Sequence, residues 1–329
     1  MDIGGTKTAV LLSRRPPDVI SRVEFPTLPQ KGPKQTIDQI LASSHRMLAE
    51  IKTSKASLRG IGISCGGPLD PIAGVVQAPP NLPTWVDVPI VNILANEFGC
   101  PVQLENDANA GALAEHRYGA GKGTRNMVFL TMGTGLGAGI IIDKRLYAGS
   151  NGMAGEIGHV RLTKKGPVGY NKVGSVEGWA SGGGMAQVAE GVMKTARKAG
   201  RKSLLLDLPR THRVTAKDVN MAAAKGDSLA RAIIHICGKK LGLALAILVD
   251  VLNPERIVIG GLAMRMGETL LEPAREAMRT EGLAPAVAIC TVVPATLGES
   301  IGDVAALCIA MDAGAKKRTT AKRGRERFE

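Results

Sequence analysis

The stretch PVQLENDANAGALAEHRYG, residues 101–119, predicts a β-strand that passes directly into an α-helix. Its apolar run ends at Glu105, Asn106 and Asp107, and an alanine-rich segment follows without a loop. Asn and Asp side chains accept hydrogen bonds from the first free N–H groups of a helix, so one interpretation is a helix cap. The other is a catalytic carboxylate held at a rigid strand-to-helix corner. Residues elsewhere in the sequence are needed to distinguish these two interpretations.

The same alternation of apolar runs and helical patterns continues on both sides of this stretch and predicts an α/β fold. Strands are predicted at 8–12 and 21–25, and helices at 108–118, about 228–252 and 303–314. Each half of the chain opens with strands that lead into Gly-Gly turns. Such a repeated pattern is typical of a duplicated fold.

Length and composition limit the class of protein. A chain of 329 residues fits two domains, and only 3% aromatic residues predict a mostly aliphatic core. No uninterrupted apolar run reaches the ~20 residues of a membrane-spanning helix, and the first residues contain no secretory signal pattern. The five scattered cysteines have no disulfide spacing, which predicts reduced thiols in a cytoplasm.

The net charge of +13 is compatible with an anionic substrate or with nucleic acid. Part of the excess lies in Ala315–Glu329, a basic segment without apolar periodicity. We expect this tail to be disordered and solubilising. It lacks the interleaved aromatic residues that would favour nucleic-acid binding.

Three glycine clusters follow predicted strands. Glycine allows the close backbone approach that a phosphate cradle requires. None is a Walker loop, because His116 stands where the first glycine would be in HRYGAGKGT. The second cluster is followed by a strand instead of a helix, so we interpret it as a glycine hairpin and not a dinucleotide-binding turn. Together the three predict a split nucleotide site; they are DIGGTKT (2–8), TMGTGLGAG (131–139) and IVIGGLAM (257–264).

The first cluster contains further chemistry. Asp2 could meet Mg²⁺ directly or through water, since Mg²⁺ combines a few carboxylates with phosphate oxygens. Thr6 offers a hydroxyl group and backbone N–H groups. Lys7 is either a phosphate ligand or a solvated side chain.

Acidic residues and a histidine also alternate with glycines at 151–160 and 169–183. Glu156, His159 and Glu177 are of the types that bind vicinal hydroxyl groups, although a cap or a surface pair would also explain Glu156 and His159. No cysteine or second histidine stands at zinc-ligand spacing. Sugar phosphorylation needs a base, a phosphate cradle and Mg²⁺. Asp107 would be the base, with Asn106 bound to a neighbouring hydroxyl.

Seven motifs together resemble the repressor/open-reading-frame/kinase (ROK) family. The family has the actin-like, hexokinase-like ATPase fold, a ribonuclease H-like duplication with two lobes and a central cleft. The resemblance runs from Asp2 to about Gly314. Its motifs are DIGGTKT, APPNLP, ENDANAGALAE, MGTGLGAGII, GEIGHV, GSVEGWASG and NPERIVIGG.

The resemblance implies phosphorylation of a hexose by ATP with Mg²⁺. It implies a glucokinase-like enzyme acting at the 6-hydroxyl, with Asp107 as general base. Glucose is the first expected sugar, followed by mannose, allose or an N-acetylhexosamine. The implied sugar contacts are Gly67, Asn81, Asn106, Glu156, His159 and Glu177. The implied nucleotide contacts are Asp2, Gly4, Gly5, Thr6, Lys7, Gly133, Thr134, Gly135, Gly137, Gly260 and Gly261.

The resemblance also implies partners and boundaries. We expect a cytoplasmic homodimer with no membrane or nucleic-acid partner. The small lobe would comprise 1–107 and about 303–315, the large lobe 108–302, and the tail 316–329. The alternative function is a non-catalytic, sugar-sensing transcriptional regulator. Such regulators carry an N-terminal helix-turn-helix domain, whereas this sequence starts at the phosphate loop.

The sequence departs from the family pattern in two places. Many members hold a zinc ion with the histidine of GEIGH and three cysteines. Here Val168, Tyr170 and Ser175 occupy the cysteine positions. We therefore expect no zinc, and a backbone group or Tyr170 must orient His159.

The second departure is the start of the chain, where only Met1 precedes Asp2. The family has an apolar strand there. Our hypothesis is that the natural start lies upstream. A chain extended by ~5–10 residues, enough for one strand, would then be more soluble and more active. Equal melting temperatures and rates would contradict this.

Overall fold

The computed structural model describes residues 1–209 and 211–325, with side chains described as far as Ala315. Contacts divide the chain into two units. The first comprises Met1–Ala114, Ala148–Met153 and the chain from Glu299 onward. The second comprises Glu115–Tyr147 and Ala154–Gly298. One of the boundaries lies inside a helix, between Ala114 and Glu115.

Strands and helices alternate along the chain. The strands are β1 (Asp2–Ile3), β2 (Lys7–Leu12), β3 (Ser21–Pro26), β4 (Ile61–Cys65), β5 (Leu69–Asp70), β6 (Val75–Val76), β7 (Val102–Asn106), β8 (Met127–Met132), β9 (Leu136–Ile142), β10 (Arg145–Tyr147), β11 (Val168–Gly169), β12 (Lys172–Val173), β13 (Arg256–Ile259) and β14 (Thr291–Pro294). The helices are α1 (Pro33–Glu50), α2 (Ile90–Phe98), α3 (Asp107–Tyr118), α4 (Val176–Ala180), α5 (Gly182–Lys198), α6 (Ala216–Ala224), α7 (Ser228–Leu252), α8 (Leu262–Met266), α9 (Glu268–Glu281), α10 (Ala284–Ile289) and α11 (Ile301–Arg325).

The two main sheets have the same strand pattern. The sheet of the first unit has the order β3-β2-β1-β4-β7, and that of the second has the order β10-β9-β8-β13-β14. In each, two antiparallel pairings are followed by two parallel ones. The predicted duplicated α/β architecture is therefore present.

The core of the first unit forms around the fully buried strand β4. Helix α11 packs closely on this strand, because Gly62 leaves room for the backbone of α11 at Ala306 and Ala310. Helices α1 and α2 contribute apolar faces to the same core. Its largest fully buried side chains include Trp85, Ile3, Ile40, Met47, Ile63 and Leu94.

The core of the second unit forms around α7. By length and composition this helix could cross a membrane. In the fold most of its apolar residues are buried against α9 and against α4, α5 and α6. Burial inside the unit thus accounts for its hydropathy.

The last helix is longer than the predicted 303–314. The backbone of α11 is helical from Ile301 to Arg325, within the tail for which the sequence predicts disorder. Ala, Lys and Arg dominate this part, and all three are good helix formers. The remainder of that prediction, residues 326–329, lies outside the described residues.

Candidate active site

The predicted site residues of the first unit follow the ends of three parallel strands. Ile3 of β1 pairs in register with Cys65 of β4, and Cys65 pairs with Asn106 of β7. The three strands therefore end in one row. The first glycine loop, the Gly66–Gly67 turn and Asp107 all begin at the same edge of the sheet. This arrangement is where α/β sheets place ligands.

The strand-to-helix corner at the end of β7 is held by polar side chains. One carboxylate oxygen of the buried Glu105 accepts hydrogen bonds from the Asn106 N–H at 3.1 Å and the Asn109 side-chain amide at 2.9 Å. Asn106 Oδ1 accepts from the Asn109 N–H at 2.7 Å. Asn106 is thus the capping residue of α3.

Asp107 begins α3 with its side chain exposed. The cap interpretation holds for Asn106, which supplies the capping oxygen, and the catalytic interpretation of Asp107 stays a prediction. The corner is capped, and the carboxylate beside the cap lies at the sheet edge. A carboxylate in the first helical turn is also favourably placed with respect to the helix dipole.

Asp2 is partly buried at the same edge. Its carboxylate lies against Gly302, in the first turn of α11, and Ser64 donates a hydrogen bond to it. Burial is the largest influence and raises the pKa of the Asp2 carboxyl group. A positive ion would favour the charged form here, which suits the proposed Mg²⁺ contact.

The neighbouring thiol of Cys65 is inert. Burial, together with the charges of Asp107 and Asp2, raises its pKa to about 12. It therefore stays a neutral thiol and acts as a core residue.

The first glycine loop turns between the antiparallel strands β1 and β2. The Gly4 N–H donates to the Lys7 carbonyl at 3.0 Å. The Thr27 hydroxyl donates to the Gly4 carbonyl at 2.7 Å, and its oxygen lies 2.8 Å from the Thr8 hydroxyl. Gly5 must be a glycine, because a Cβ atom there would lie 2.7 Å from Asn81 Cβ. Thr6 is exposed at the tip.

Asn81 is brought to this loop by the turn that contains it. The Leu82 N–H bonds the Pro79 carbonyl at 2.7 Å, and the side chains of Leu82 and Trp85 anchor the segment in the core. The Asn81 side chain also lies against Gly66, next to the predicted sugar contact Gly67. One predicted sugar residue thus contacts the predicted phosphate loop directly.

Lys7 points to a carboxylate. Its ammonium group lies 3.0 Å from Glu24, which also accepts a hydrogen bond from Arg22 at 2.7 Å. The Lys7 side chain is 63% exposed. The phosphate contact of Lys7 stays a prediction.

The second glycine loop, Gly133–Gly137, turns between β8 and β9 and is held by α4 and α5. Helix α5 begins at Gly182, and its first N–H groups have no partner within the helix. The Gly182 N–H donates to the Gly133 carbonyl at 2.8 Å, and the Gly183 N–H donates to the Thr134 carbonyl at 3.2 Å. The Leu136 N–H donates to Glu177 at 3.1 Å. Glu177 therefore contacts the predicted phosphate loop.

Gly260 and Gly261 follow β13 and lie beside this loop. The Gly260 N–H donates to the Leu130 carbonyl at 2.9 Å, which continues the pairing of β13 with β8. Gly261 has a φ of 63° and packs against the Met132 carbonyl. The two predicted nucleotide loops of the second unit are thus neighbours.

The remaining predicted sugar residues belong to the same cluster of the second unit. Glu156 directly precedes a short 3₁₀ turn, Ile157–His159, and His159 is its last residue. Gly158 in this turn packs against the Leu136 carbonyl and the Glu177 side chain. The Ala138 N–H donates to the Gly155 carbonyl at 2.9 Å, which fixes the segment on β9.

The residues at the cysteine positions of the family do not fit a zinc ion. Val168 has an apolar side chain, the Tyr170 ring lies against the His159 ring, and the Ser175 hydroxyl caps α4. None offers the thiolate that a structural zinc site requires. In the part of the chain that the structure describes, no three His, Cys, Asp or Glu side chains are grouped to hold a metal ion.

Sequence reasoning assigned no role to the residues that support the site. Glu105 and Asn109 hold the corner, and Ser64 hydrogen-bonds Asp2. Ser181 caps α5, with its hydroxyl accepting from the Gly184 N–H at 3.0 Å. Ser181 was a usable signal, since serine is among the preferred N-cap residues of a helix.

Comparison with known proteins identifies the family. The ROK family pattern matches residues 1–313. A glucokinase from Halalkalibacterium halodurans is 36% identical over 305 residues, which is 92% of this chain and 91% of that protein. A xylose repressor from Caldicellulosiruptor bescii is 35% identical over 218 residues, 66% of this chain and 53% of that protein.

A solved structure agrees with the fold. It is a ROK family glucokinase from Streptomyces griseus in complex with glucose and AMPPNP. It superposes with a TM-score of 0.75 at 30% identity and covers 94% of this chain and 98% of that one. The chain belongs to the ROK family, and its two matching sheets are those of the actin-like fold that the motifs predicted.

Proposed function

We propose that this protein is an ATP-dependent sugar kinase that phosphorylates a hexose, with Asp107 as general base. The observation that carries the proposal is the row of strand ends Ile3, Cys65 and Asn106. This row puts an exposed carboxylate at the same sheet edge as a glycine loop. A kinase needs such a base and a phosphate cradle with little other covalent chemistry.

The phosphoryl donor is ATP with Mg²⁺. The glycine loops Gly4–Lys7 and Gly133–Gly137 would bind phosphate oxygens through backbone N–H groups, and Gly260–Gly261 would contact the adenosine. Asp2 would hold Mg²⁺ directly or through water. The relative from Streptomyces griseus, crystallised with glucose and AMPPNP, supports this assignment.

The acceptor is a hexose with its 6-hydroxyl at Asp107. The proposed sugar contacts are Gly67, Asn81, Asn106, Glu156, His159 and Glu177. Each carboxylate accepts two hydrogen bonds from vicinal hydroxyls. Glucose is the first sugar to test, because a glucokinase is 36% identical over 92% of this chain.

The second candidate is a sugar-sensing regulator without catalysis. The similarity to a xylose repressor favours it. The exposed Asp107 beside an intact phosphate loop favours the kinase, since a sensor needs neither. A cytoplasmic homodimer without membrane or nucleic-acid partners completes the proposal.

The test is a coupled ADP-release assay with Mg-ATP on a panel of hexoses and N-acetylhexosamines. We expect turnover on at least one sugar. Asp107→Asn should reduce kcat by about 10²–10⁴-fold, the range for loss of a general base, with an unchanged melting temperature.

A folded protein that binds a sugar in calorimetry but turns over none would favour the regulator. Full activity of the Asp107→Asn variant would contradict the assigned base. Steeply salt-dependent DNA binding would contradict the absence of a nucleic-acid partner.

A further inference from the structure

The segment 168–173 forms a hairpin that has no catalytic assignment. Strands β11 and β12 pair through Val168–Val173 and Gly169–Lys172. Tyr170 and Asn171 occupy the turn with φ values of 41° and 62°. Positive φ at both central residues is typical of a type I′ turn, which matches the twist of a two-residue hairpin. The turn therefore presents Tyr170 in a defined direction.

A glutamine side chain holds the first strand of this hairpin. Gln187 on α5 accepts the Val168 N–H at 2.9 Å and donates its amide to the Val168 carbonyl at 2.8 Å. Its amide thus pairs with the strand as a neighbouring strand would. A two-stranded hairpin alone is marginally stable, so this pairing supports its position.

The hairpin also packs on the helical turn that contains Glu177. A Cβ atom at Gly169 would lie 2.5 Å from the Gly178 nitrogen and 2.8 Å from Glu177 Cβ, so only glycine permits this approach. The Ser175 hydroxyl accepts the Gly178 N–H at 3.1 Å. The Gly174 N–H donates to the Pro167 carbonyl at 2.8 Å. The hairpin is thus fixed relative to Glu177.

From this base the Tyr170 ring reaches His159. The two ring centroids lie 5.1 Å apart with an interplanar angle of 77°, which is the edge-to-face arrangement that aromatic rings prefer. Among the described residues, none forms a hydrogen bond with the His159 ring nitrogens or the Tyr170 hydroxyl. The ring contact is therefore the interaction that orients the imidazole.

We infer that Tyr170 is a positioning residue for His159 on the sugar side of the site, held by the Gln187-supported hairpin without a metal ion. The inference rests on the proposed function only for the identity of the ligand, a hexose whose hydroxyls meet the imidazole. Tyr170 is 54% exposed, so its substitution removes little from the core.

The first measurement is proton NMR of the imidazole signals. The chain has five histidines, and His159→Gln identifies the signal of His159. In Tyr170→Ala this signal should lose its ring-current shift, whereas Tyr170→Phe should keep it because the ring remains. Tyr147→Ala is the matched control, since Tyr147 is 51% exposed and lies on β10.

The second measurement is kinetics of the full chain on the sugar that it turns over best. Tyr170→Ala should raise the sugar KM about 2- to 10-fold, the effect of one aromatic pair. The Mg-ATP KM and kcat should stay unchanged. Tyr170→Phe should restore the wild-type value, and Gln187→Ala should act in the same direction as Tyr170→Ala with a smaller effect.

Each outcome decides something different. An unchanged His159 signal in Tyr170→Ala overturns the inference, as does an equal rise of both KM values. Absence of any sugar turnover by the wild type overturns the proposed function instead. The NMR result then still decides whether Tyr170 orients His159.

Discussion

The two glycine loops at the main sheets have the same local context and different supports. Both connect antiparallel strands, β1 to β2 and β8 to β9. The loop Gly4–Lys7 is closed by its own backbone and by Thr27, close to it in sequence. The loop Gly133–Gly137 is held by Glu177, Gly182 and Gly183, more distant in sequence.

This difference shows that glycine content alone does not define a phosphate loop. Glycine allows the turn, but the neighbours select one conformation among many. The first loop is supported by a threonine hydroxyl, and the second by a charged side chain together with a helix N-terminus. Substitutions in the two loops should therefore have separable effects.

Among the substitutions that compare the two loops, the largest effect is expected from Gly5→Ala. The added methyl group would collide with Asn81 and displace a loop and a proposed sugar contact together. A misplacement of about 1 Å lowers rates by about 100-fold, and we expect that loss in kcat/KM. Steady-state kinetics on the preferred sugar measure it.

Gly133→Ala is the matched control in the other loop. A Cβ atom at Gly133 has no neighbour within 4 Å, so the melting temperature should not change. A raised Mg-ATP KM in this variant would indicate that the nucleotide fills the space. Equal losses of stability in Gly5→Ala and Gly133→Ala would contradict the expectation that only the first loop is too crowded for a methyl group.

The second effect concerns Glu177, which contacts the second loop and belongs to the proposed sugar site. Glu177→Ala removes a hydrogen bond to a charged acceptor and should raise the Mg-ATP KM and the sugar KM by about 10-fold or more. Glu177→Gln keeps an oxygen for the Leu136 N–H, so only the sugar KM should rise. An unchanged Mg-ATP KM in Glu177→Ala would contradict a role of Glu177 in nucleotide binding by this loop.

The third prediction compares how much the supports of the two loops contribute to the free energy of unfolding. Thr27→Val leaves the Gly4 carbonyl and the Thr8 hydroxyl without this partner and should lower the free energy of unfolding by about 1–3 kcal/mol. Ser181→Ala removes the cap of α5 and should lower it by about 1 kcal/mol. Urea denaturation measures both. A smaller loss of unfolding free energy in Thr27→Val than in Ser181→Ala would contradict the expectation that Thr27 is the stronger support.

The smallest effect is a pH-dependent gain of stability in Asp2→Asn. Because burial raises the pKa of the Asp2 carboxyl, the folded state binds this proton more readily than the unfolded state. The protonated Asp2 carboxyl group makes its full contribution to the free energy of unfolding in acid. This contribution is lost as pH rises through the pKa of the folded state. At neutral pH the variant should therefore melt at a higher temperature than wild type.

Melting curves from acid to neutral pH check this prediction, and the difference should shrink as pH falls. Sugar phosphorylation should decrease in the same variant if Asp2 holds Mg²⁺. Lower stability at neutral pH would indicate that the hydrogen bond from Ser64 outweighs burial.

Much of the architecture could be predicted from periodicity and turn residues. The helix predicted at about 228–252 is α7, Ser228–Leu252, and the predicted strand-to-helix junction is β7 followed by α3. These elements have clear local patterns that burial reinforces. The end of α11 was not predictable, because a basic segment without an apolar face carries no periodic signal.

The candidate site divides in the same way. The sequence indicated Asp107, but not that Asn106 supplies the capping oxygen and Glu105 the support. Adjacent Asn and Asp residues have nearly equal capping propensities, so the backbone geometry at the junction had to assign them.

The sequence by itself determined the alternation of strands and helices, the glycine turns and the family, because these depend on residue order and local propensity. Only the tertiary structure decided that Ile3, Cys65 and Asn106 end in one row, that Glu177 contacts the Gly133–Gly137 loop, and that Tyr170 meets His159. Such contacts join residues far apart in the chain. They depend on strand register and helix packing, which no local pattern specifies.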